Sequence, residues 1–253
     1  MMSLLDALSS QAAPASLKQL AAQAELHPST AHRILNVMVQ HRMAERVEPG
    51  TYRLGMRLLE LGAVVRSRTS FRQEAWPCMR QLHQQLGEAV NLAVRHDDEI
   101  IYVECTSPTG LNLRVMAAAG ARALLHATSV GKVFLSADTP EKCLEYAIRT
   151  GLPRLTENTI TDQANFLMEI ENVRRQGHAM DNEEWEKGVS CVAAGIYNDE
   201  HQLVAALSIS APAERFNKAW AVPLRQTSER VSKALGFRPV PAASPTPATN
   251  THA

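Results

Sequence analysis

Residues 16–36 read SLKQLAAQAELHPSTAHRILN, and this stretch decides how the N-terminal part of the chain folds. Ser16 followed by Gln19 is a capping-box start, and Leu17, Leu20, Ala21 and Ala24 recur at helical spacing. The chain then turns through Glu25, Leu26 and His27, and Pro28 suits the first position of a second helix. Within that helix Ala31, Ile34, Leu35 and Met38 form an inward stripe at i, i+3, i+4 and i+7. Ser29, Thr30, His32, Arg33, Asn36 and Gln40 are left on the other side. A buried first helix and a second one that displays hydroxyls, an imidazole, a guanidinium and an amide meet the needs of a DNA-reading helix-turn-helix. The other reading is an ordinary αα-hairpin with a solvated face.

Outward from this pair, residues 4–9 form a short amphipathic helix able to complete a three-helix core. Residues 43–47 and 51–54 read as two strands around Glu48-Pro49-Gly50, a hairpin that beside a helix-turn-helix makes a wing. From it Tyr52 and Arg53 can reach a phosphate or the minor groove, or the Tyr52 ring packs on the helix before it. Residues 55–66, GMRLLELGAVVR, have the spacing of a connecting helix with Met56, Leu59 and Val64 on a seam suited to dimer contacts. A helix over 71–86 follows, after which the period switches from helical to alternating.

Strands are predicted at 89–95, 99–106 and 111–115, joined by turns at 96–98 and 107–110. Helices follow at 128–136, 140–149 and 162–175, the last ended by Gly177. Strands at 178–181, 189–197 and 203–210 precede a closing helix over 214–235. Strands, then helices, then strands with hairpin connections predict an α+β domain on an antiparallel sheet. Residues 239–253, PVPAASPTPATNTHA, are Pro/Ala/Thr-rich and predicted to be a disordered tail.

Bulk properties narrow the function classes. The 253-residue chain is long enough for two domains or for one large one, and at 45% hydrophobic and 21% charged it is ordinary for a globular protein. Net charge is zero, but residues 1–70 hold eight Lys/Arg against five Asp/Glu, so a modestly basic head joins a mildly acidic body. Cys78, Cys105, Cys143 and Cys191 are far apart with no CxxC, which predicts reduced thiols in a cytoplasmic protein. No apolar run approaches the roughly 20 residues that cross a bilayer.

Three blocks carry a resemblance over nearly the whole chain: LKQLAAQAELHPSTAHRILNVM with YRLGMRLLELG; LLHATSVGKVFLS; and GHAMDNEEWEKGVSCVAAGIYNDEHQLVAALSISAP. Together, in this order and spacing, they resemble the IclR-type bacterial transcription regulators. The resemblance implies an N-terminal winged helix-turn-helix (1–54), a linker helix (55–70) and a C-terminal effector-binding domain with a GAF-like antiparallel sheet (71–238). It also implies dimers that pair into tetramers on operator DNA. Glu25 stands where that family usually has the turn glycine, and Gly195 where it often has proline.

For DNA, Arg33 is the candidate for a bidentate contact to guanine and Asn36 for adenine. Ser29 and Thr30, at the helix start, suit phosphate, and His32 suits either. Ser29 as a plain helix cap and Asn36 as a solvated surface group are the structural alternatives. For the effector, residues 203–210 alternate so that Val204, Ala206, Ser208 and Ser210 share a face. Val189, Cys191 and Ala193 share a face of the neighbouring strand, and residues 128–131 open a helix whose free amides suit a carboxylate. The resemblance points to Ser129, Val130, Asp181, Cys191, Ser208 and Ser210 as the pocket for a small organic or aromatic acid. The structural alternatives are a buried Cys191, serines that satisfy backbone groups, and Asp181 as a turn residue. Two further readings are a cysteine-dependent enzyme using Cys191 with His126 or His178 as base, and a ligand-free oligomerisation module. No cofactor is expected; a metal held near His126 or His178 lacks the usual ligand spacing.

Overall fold

Local capping decides where the first helices begin. The Ser16 amide donates to Gln19 Oε1 at 2.9 Å and the Gln19 amide to Ser16 Oγ at 3.3 Å, which closes the capping box. Pro28 opens the next helix as expected. The computed structural model describes residues 1–67, 70–106 and 119–238, and the chain divides into two units, Met1–Thr69 and Ser70–Ala253.

The first unit runs α1 (Met2–Ser9), β1 (Ala15–Ser16), α2 (Leu17–Gln23), α3 (Pro28–Gln40), β2 (Ala44–Glu48), β3 (Thr51–Leu54) and α4 (Met56–Ser67). Leu4, Leu8, Leu20, Leu35 and Met38 are buried at its centre, each stabilising it by about 1.5–3 kcal/mol. The turn between α2 and α3 closes with Glu25 itself in the left-handed region, at φ 54°, the conformation a glycine adopts without strain. β1 was not expected: Ala15 pairs with Tyr52 and Ser16 with Thr51, so a third strand ties the start of α2 to the wing.

Gly55 joins the wing to α4 at a very close approach. A Cβ there would lie 2.1 Å from the Arg42 carbonyl oxygen, so no other residue fits. Its amide donates to Met43 O, the Arg57 amide to Arg42 O, and Glu60 accepts from both Arg57 and Arg42. The beginning of α4 is thereby fastened to the end of α3. Met56, Leu59 and Val64, the expected seam, are 59%, 55% and 49% exposed.

The second unit contains α5 (Ser70–Leu86), β4 (Ala89–His96), β5 (Glu99–Cys105), β6 (Arg122–Leu124), α6 (Ser129–Ser136), α7 (Pro140–Thr150), α8 (Gln163–Gln176), β7 (Ala179–Asn182), β8 (Val189–Tyr197), β9 (Leu203–Pro212) and α9 (Ala221–Ala234). The sheet order is β6-β5-β4-β9-β8-β7 with every pair antiparallel. Alternation divides its residues between two cores. Ala93, Ile100, Tyr102, Ala193 and Ala206 face α6, α7 and α8, while Val90, Leu92, Val192, Leu207 and Ile209 face α5 and α9. Asp162 caps α8 and Gly177 ends it at φ 71°.

Two expectations need correction. The closing helix does not begin at 214 but at Ala221, after a 3-10 turn over Lys218–Trp220. Arg215 is drawn into a two-pronged pair with Glu88, and the Asn217 side chain accepts from the Ala219 amide, so these residues serve tertiary contacts and a cap instead of a helical turn. β6 was not foreseen. The turn expected at 107–110, the strand at 111–115 and the tail at 239–253 lie outside the described residues. Among the described residues no helix is long and apolar enough to cross a membrane.

Candidate DNA-reading surface and effector site

On α3 the polar face is open as the spacing predicts. His32 and Arg33 are exposed, and Arg33 makes no hydrogen bond or ion pair among the described residues, so its fork of donors is available. Ser29 is engaged in the helix start: its hydroxyl lies 2.8 Å from His27 Nδ1, and its amide donates to the same nitrogen at 3.4 Å. Thr30 is half-buried beside it. Val37, 43% exposed, shares this face four residues after Arg33; an apolar residue there suits a thymine methyl group, and the polar pattern of the helix gave no reason to single it out.

Of the two readings of Tyr52, the inward one holds and the groove contact does not. Its ring is 1% exposed in the first unit's core, so it packs inward and does not extend toward a groove. Arg46, not among the expected contacts, takes the exposed position instead. Its Nη2 donates to Tyr52 Oη at 3.0 Å and to Asn36 Oδ1 at 3.1 Å, with the guanidinium carbon 5.4 Å from the Tyr52 ring centroid. Arg53 is exposed and paired with Glu45 at 2.8 Å. That ion pair is solvated and worth little, so Arg53 can exchange Glu45 for a phosphate.

In the second unit, strand register gathers most of the expected effector residues. Asp181 lies opposite Cys191 and Cys191 opposite Ser210; Ala193 lies opposite Ser208 and Ser208 opposite Asn91. Asn91, not expected from the sequence, is 2% exposed. Its Nδ2 donates to Ser210 Oγ at 3.0 Å and to Ser208 Oγ at 3.4 Å, and the Cys191 thiol donates to Ser210 Oγ at 3.1 Å. Both serine oxygens are therefore acceptors within the cluster, which leaves both hydroxyl protons to be donated elsewhere. Asn91 Oδ1 is buried with no partner among the described residues. Leaving such an acceptor unmatched costs about 1–3 kcal/mol, a cost that a ligand with a donor would remove.

Burial shifts the acidic groups beside this cluster toward their protonated forms. Burial raises the Asp181 carboxyl from 3.8 to about 7, reinforced by Glu184 and opposed by the Glu184 and Trp185 amides that Oδ1 accepts and by Lys132. Burial likewise raises the Cys191 thiol far above its ordinary value, with Asp181 adding to the effect and Ser210 opposing it. Tyr102, 4% exposed, is raised by burial and then by Cys191 and Asp181. Lys132, 1% exposed, was not foreseen. It donates to Glu184 Oε1 at 2.6 Å and Met180 O at 3.0 Å and lies 3.5 Å from Glu169.

Ser129 and Val130 open α6, both buried. Thr128 Oγ1 takes the Gly131 amide, and the amides of Ser129 and Val130 have no partner among the described residues. Gly131 is obligatory here, because a Cβ would stand 2.2 Å from Leu125 O. Asp181 and Glu184 also wall a cleft of about 310 Å³ together with Ile160, Glu169, Met180 and Phe216.

The histidines considered as bases are committed elsewhere. His126 is fully buried; its Nε2 faces Pro153 O at 3.1 Å and its Nδ1 faces the Tyr146 hydroxyl at 3.2 Å. A carbonyl only accepts, so Nε2 carries the proton and Nδ1 accepts from the phenol. Burial lowers its pKa, which keeps the ring neutral. His178 is half-buried with Nδ1 3.2 Å from Gln176 O. Among the described residues the Cys191 thiol donates to Ser210 and His126 is engaged at both nitrogens.

Comparison with known proteins agrees with both units. The IclR helix-turn-helix domain matches residues 1–48, and the C-terminal domain of the bacterial transcriptional regulator IclR matches residues 63–234. An uncharacterised HTH-type transcriptional regulator of Haemophilus influenzae is 33% identical over 242 residues, covering 92% of this chain and 90% of the relative. The transcriptional repressor AllR of Escherichia coli K12 is 30% identical over 246 residues, covering 94% of this chain and 89% of AllR. Among solved structures, an IclR homologue from Microbacterium hydrocarbonoxydans in complex with 4-hydroxybenzoate superposes with a TM-score of 0.81 at 27% identity, covering 92% and 96% of the two chains.

Proposed function

Because the chain belongs to the IclR family of bacterial transcriptional regulators, we propose that it reads operator DNA through α3 and the wing and adjusts that binding to a small organic or aromatic acid held in the second unit. DNA-binding regulation of transcription is the family's activity; the contacts and the effector are what is added here. Arg33 supplies the bidentate base contact, Asn36 and His32 flank it, and Ser29, Thr30 and Arg53 meet phosphates. Two copies join through α4, whose Met56 and Leu59 are more than half exposed, so operator half-sites lie about one helical turn, ~34 Å, or a multiple apart. Pairing of dimers into tetramers on the operator extends the same arrangement.

The polarity of the serine–asparagine cluster supports the effector reading most directly. Ser208 and Ser210 present hydroxyl protons, the Ser129 and Val130 amides are open, and Asn91 Oδ1 is an acceptor awaiting a donor. A carboxylate answers the donors, and a hydroxyl elsewhere on the same molecule answers Asn91. Cys191 seats the Ser210 hydroxyl and Asp181 limits the charge the site accepts. The 4-hydroxybenzoate in the Microbacterium homologue, which carries one group of each kind, supports an acid of this type here.

The test is a mobility shift on DNA upstream of the protein's own gene, with and without a panel of hydroxylated and plain carboxylic acids. At least one acid should change operator affinity by about 5–150-fold, the usual span of two-site coupling. Ser208→Ala with Ser210→Ala should abolish that response while DNA binding persists. Binding of DNA unaffected by every acid, or an unchanged response in the double variant, rejects the effector site.

A further inference from the structure

Asn36 sits on the DNA-reading face of α3, but its carbonyl oxygen is not free. The Arg46 Nη2 that bonds it carries two hydrogens, one directed to Asn36 Oδ1 at 3.1 Å and the other to Tyr52 Oη at 3.0 Å. A guanidinium only donates, so the amide atom facing Arg46 must be the oxygen, which fixes the rotation of the amide. The opposite end, Nδ2, points toward His32 Nε2 at 3.5 Å and keeps a second hydrogen to give. Arg46 is itself held in place, because the phenol it bonds belongs to a ring that is 1% exposed and lies under its guanidinium.

We infer that Arg46 is a positioning residue that holds the Asn36 amide with its oxygen toward the wing and its Nδ2 donor toward the major groove, shifting its choice from adenine, which a free asparagine would select, toward guanine and thymine. This rests on the reading of α3 as the recognition helix. Adenine is recognised by asparagine through two bonds at once: N6–H donates to Oδ1 and N7 accepts from Nδ2. Arg46 takes one of the two Oδ1 lone pairs and holds the oxygen toward the wing, so the first of these bonds is disfavoured while the bond to N7 remains. Guanine presents two acceptors, N7 and O6, to an Nδ2 donor and thymine one at O4, whereas adenine offers N7 beside an N6 donor that then finds no well-placed acceptor. The wing thus contributes to specificity through α3 without touching a base.

The experiment is binding-site selection from random duplex DNA with the full-length protein and its Arg46→Met, Arg46→Lys, Asn36→Ala and doubly substituted Arg46→Met/Asn36→Ala forms. Methionine keeps a long apolar stem over Tyr52 and removes every donor, and melting temperatures are measured alongside. Asn36→Ala should flatten preference at one base pair, which locates the contact. At that pair the wild type should favour guanine or thymine, and Arg46→Met should raise adenine relative to guanine about tenfold. Arg46→Lys, still a donor, should retain the wild-type preference. The double variant should match Asn36→Ala.

Adenine already favoured at that pair by the wild type overturns the inference. So does an Arg46→Met form that loses affinity evenly at all positions, and so does an Asn36→Ala form that leaves every position unchanged. If Arg46→Met fails to fold, the base favoured by the wild type at the pair that Asn36→Ala locates still decides the matter. No enriched sequence for a folded wild type refutes the DNA-reading surface itself, and the inference with it.

Discussion

Replacing Asp181 with asparagine removes a buried acid while keeping an acceptor for the Glu184 and Trp185 amides that Oδ1 now receives. The carboxyl is 2% exposed and titrates near 7, against 3.8 for a free aspartate. Its folded-state pKa is raised, so below about pH 4 both states hold the proton and stability is complete. As pH climbs the unfolded chain releases its proton first, and stability falls until about pH 7, where the folded state ionises as well. Three pH units at about 1.4 kcal/mol each give a loss of roughly 4 kcal/mol. For a domain of about 150–250 residues that is roughly 10 °C in melting temperature. The assay is thermal unfolding of wild type and Asp181→Asn across pH 4 to 8, with the difference taken at each pH so that other titrating groups cancel. The difference should grow in favour of asparagine as pH rises. An anionic effector beside Asp181 adds a second reading: wild-type affinity for it should fall as pH passes about 7, and the variant's should not. Parallel melting curves over the whole range would rule out a neutral buried acid at this position.

The other expectations concern Lys132, Glu25 and Arg33. Lys132→Met strands the buried Glu184 carboxylate and should cost about 3–5 kcal/mol in urea unfolding; adding Glu184→Leu should recover most of it, and a loss that persists would mean Lys132 acts in some other way. Glu25→Gly relieves the left-handed residue in the helix-turn-helix turn and should stabilise the first unit by about 0.5–1 kcal/mol, read as a raised midpoint in unfolding monitored on that unit. Arg33→Ala should cost about 1–3 kcal/mol and relax preference at a single base pair, which operator variants measured by fluorescence anisotropy will reveal; equal weakening on every sequence would reassign Arg33 to phosphate.

Features written into neighbouring residues could be read without the structure. The Ser16–Gln19 box, Pro28 at the start of α3 and the Asp162–Gly177 pair around α8 are each settled within one or two turns. Strand alternation also put Ser208 and Ser210 on one face of their strand and Cys191 on one face of its neighbour, and the register brought the two together. What escaped depends on residues far apart in the chain. Asn91 belongs to the site only because β4 lies next to β9, which brings it to serines 117 and 119 positions away. Lys132, inside an apolar run, gives no hint that Glu184 will come from 52 residues later to neutralise it. Tyr52 was evenly balanced between wing tip and core, and the pairing of Ala15 against it decided for the core. The closing helix was drawn too long because helical spacing persists through residues that Glu88 and a local cap divert.

Gly55 gives α4 a mechanical role. Fastened at its first turn by the Arg42 and Met43 carbonyls and by Glu60, the twelve-residue helix is a lever about 18 Å long with its pivot at the foot of α3. A tilt of roughly 10° displaces its far end by about 3 Å, and the contacts at the pivot tie that movement to the end of α3. A larger residue at 55 would collide with the Arg42 carbonyl and force the start of α4 away from it. The tightness of one glycine junction therefore sets how closely α4 and the end of α3 move together.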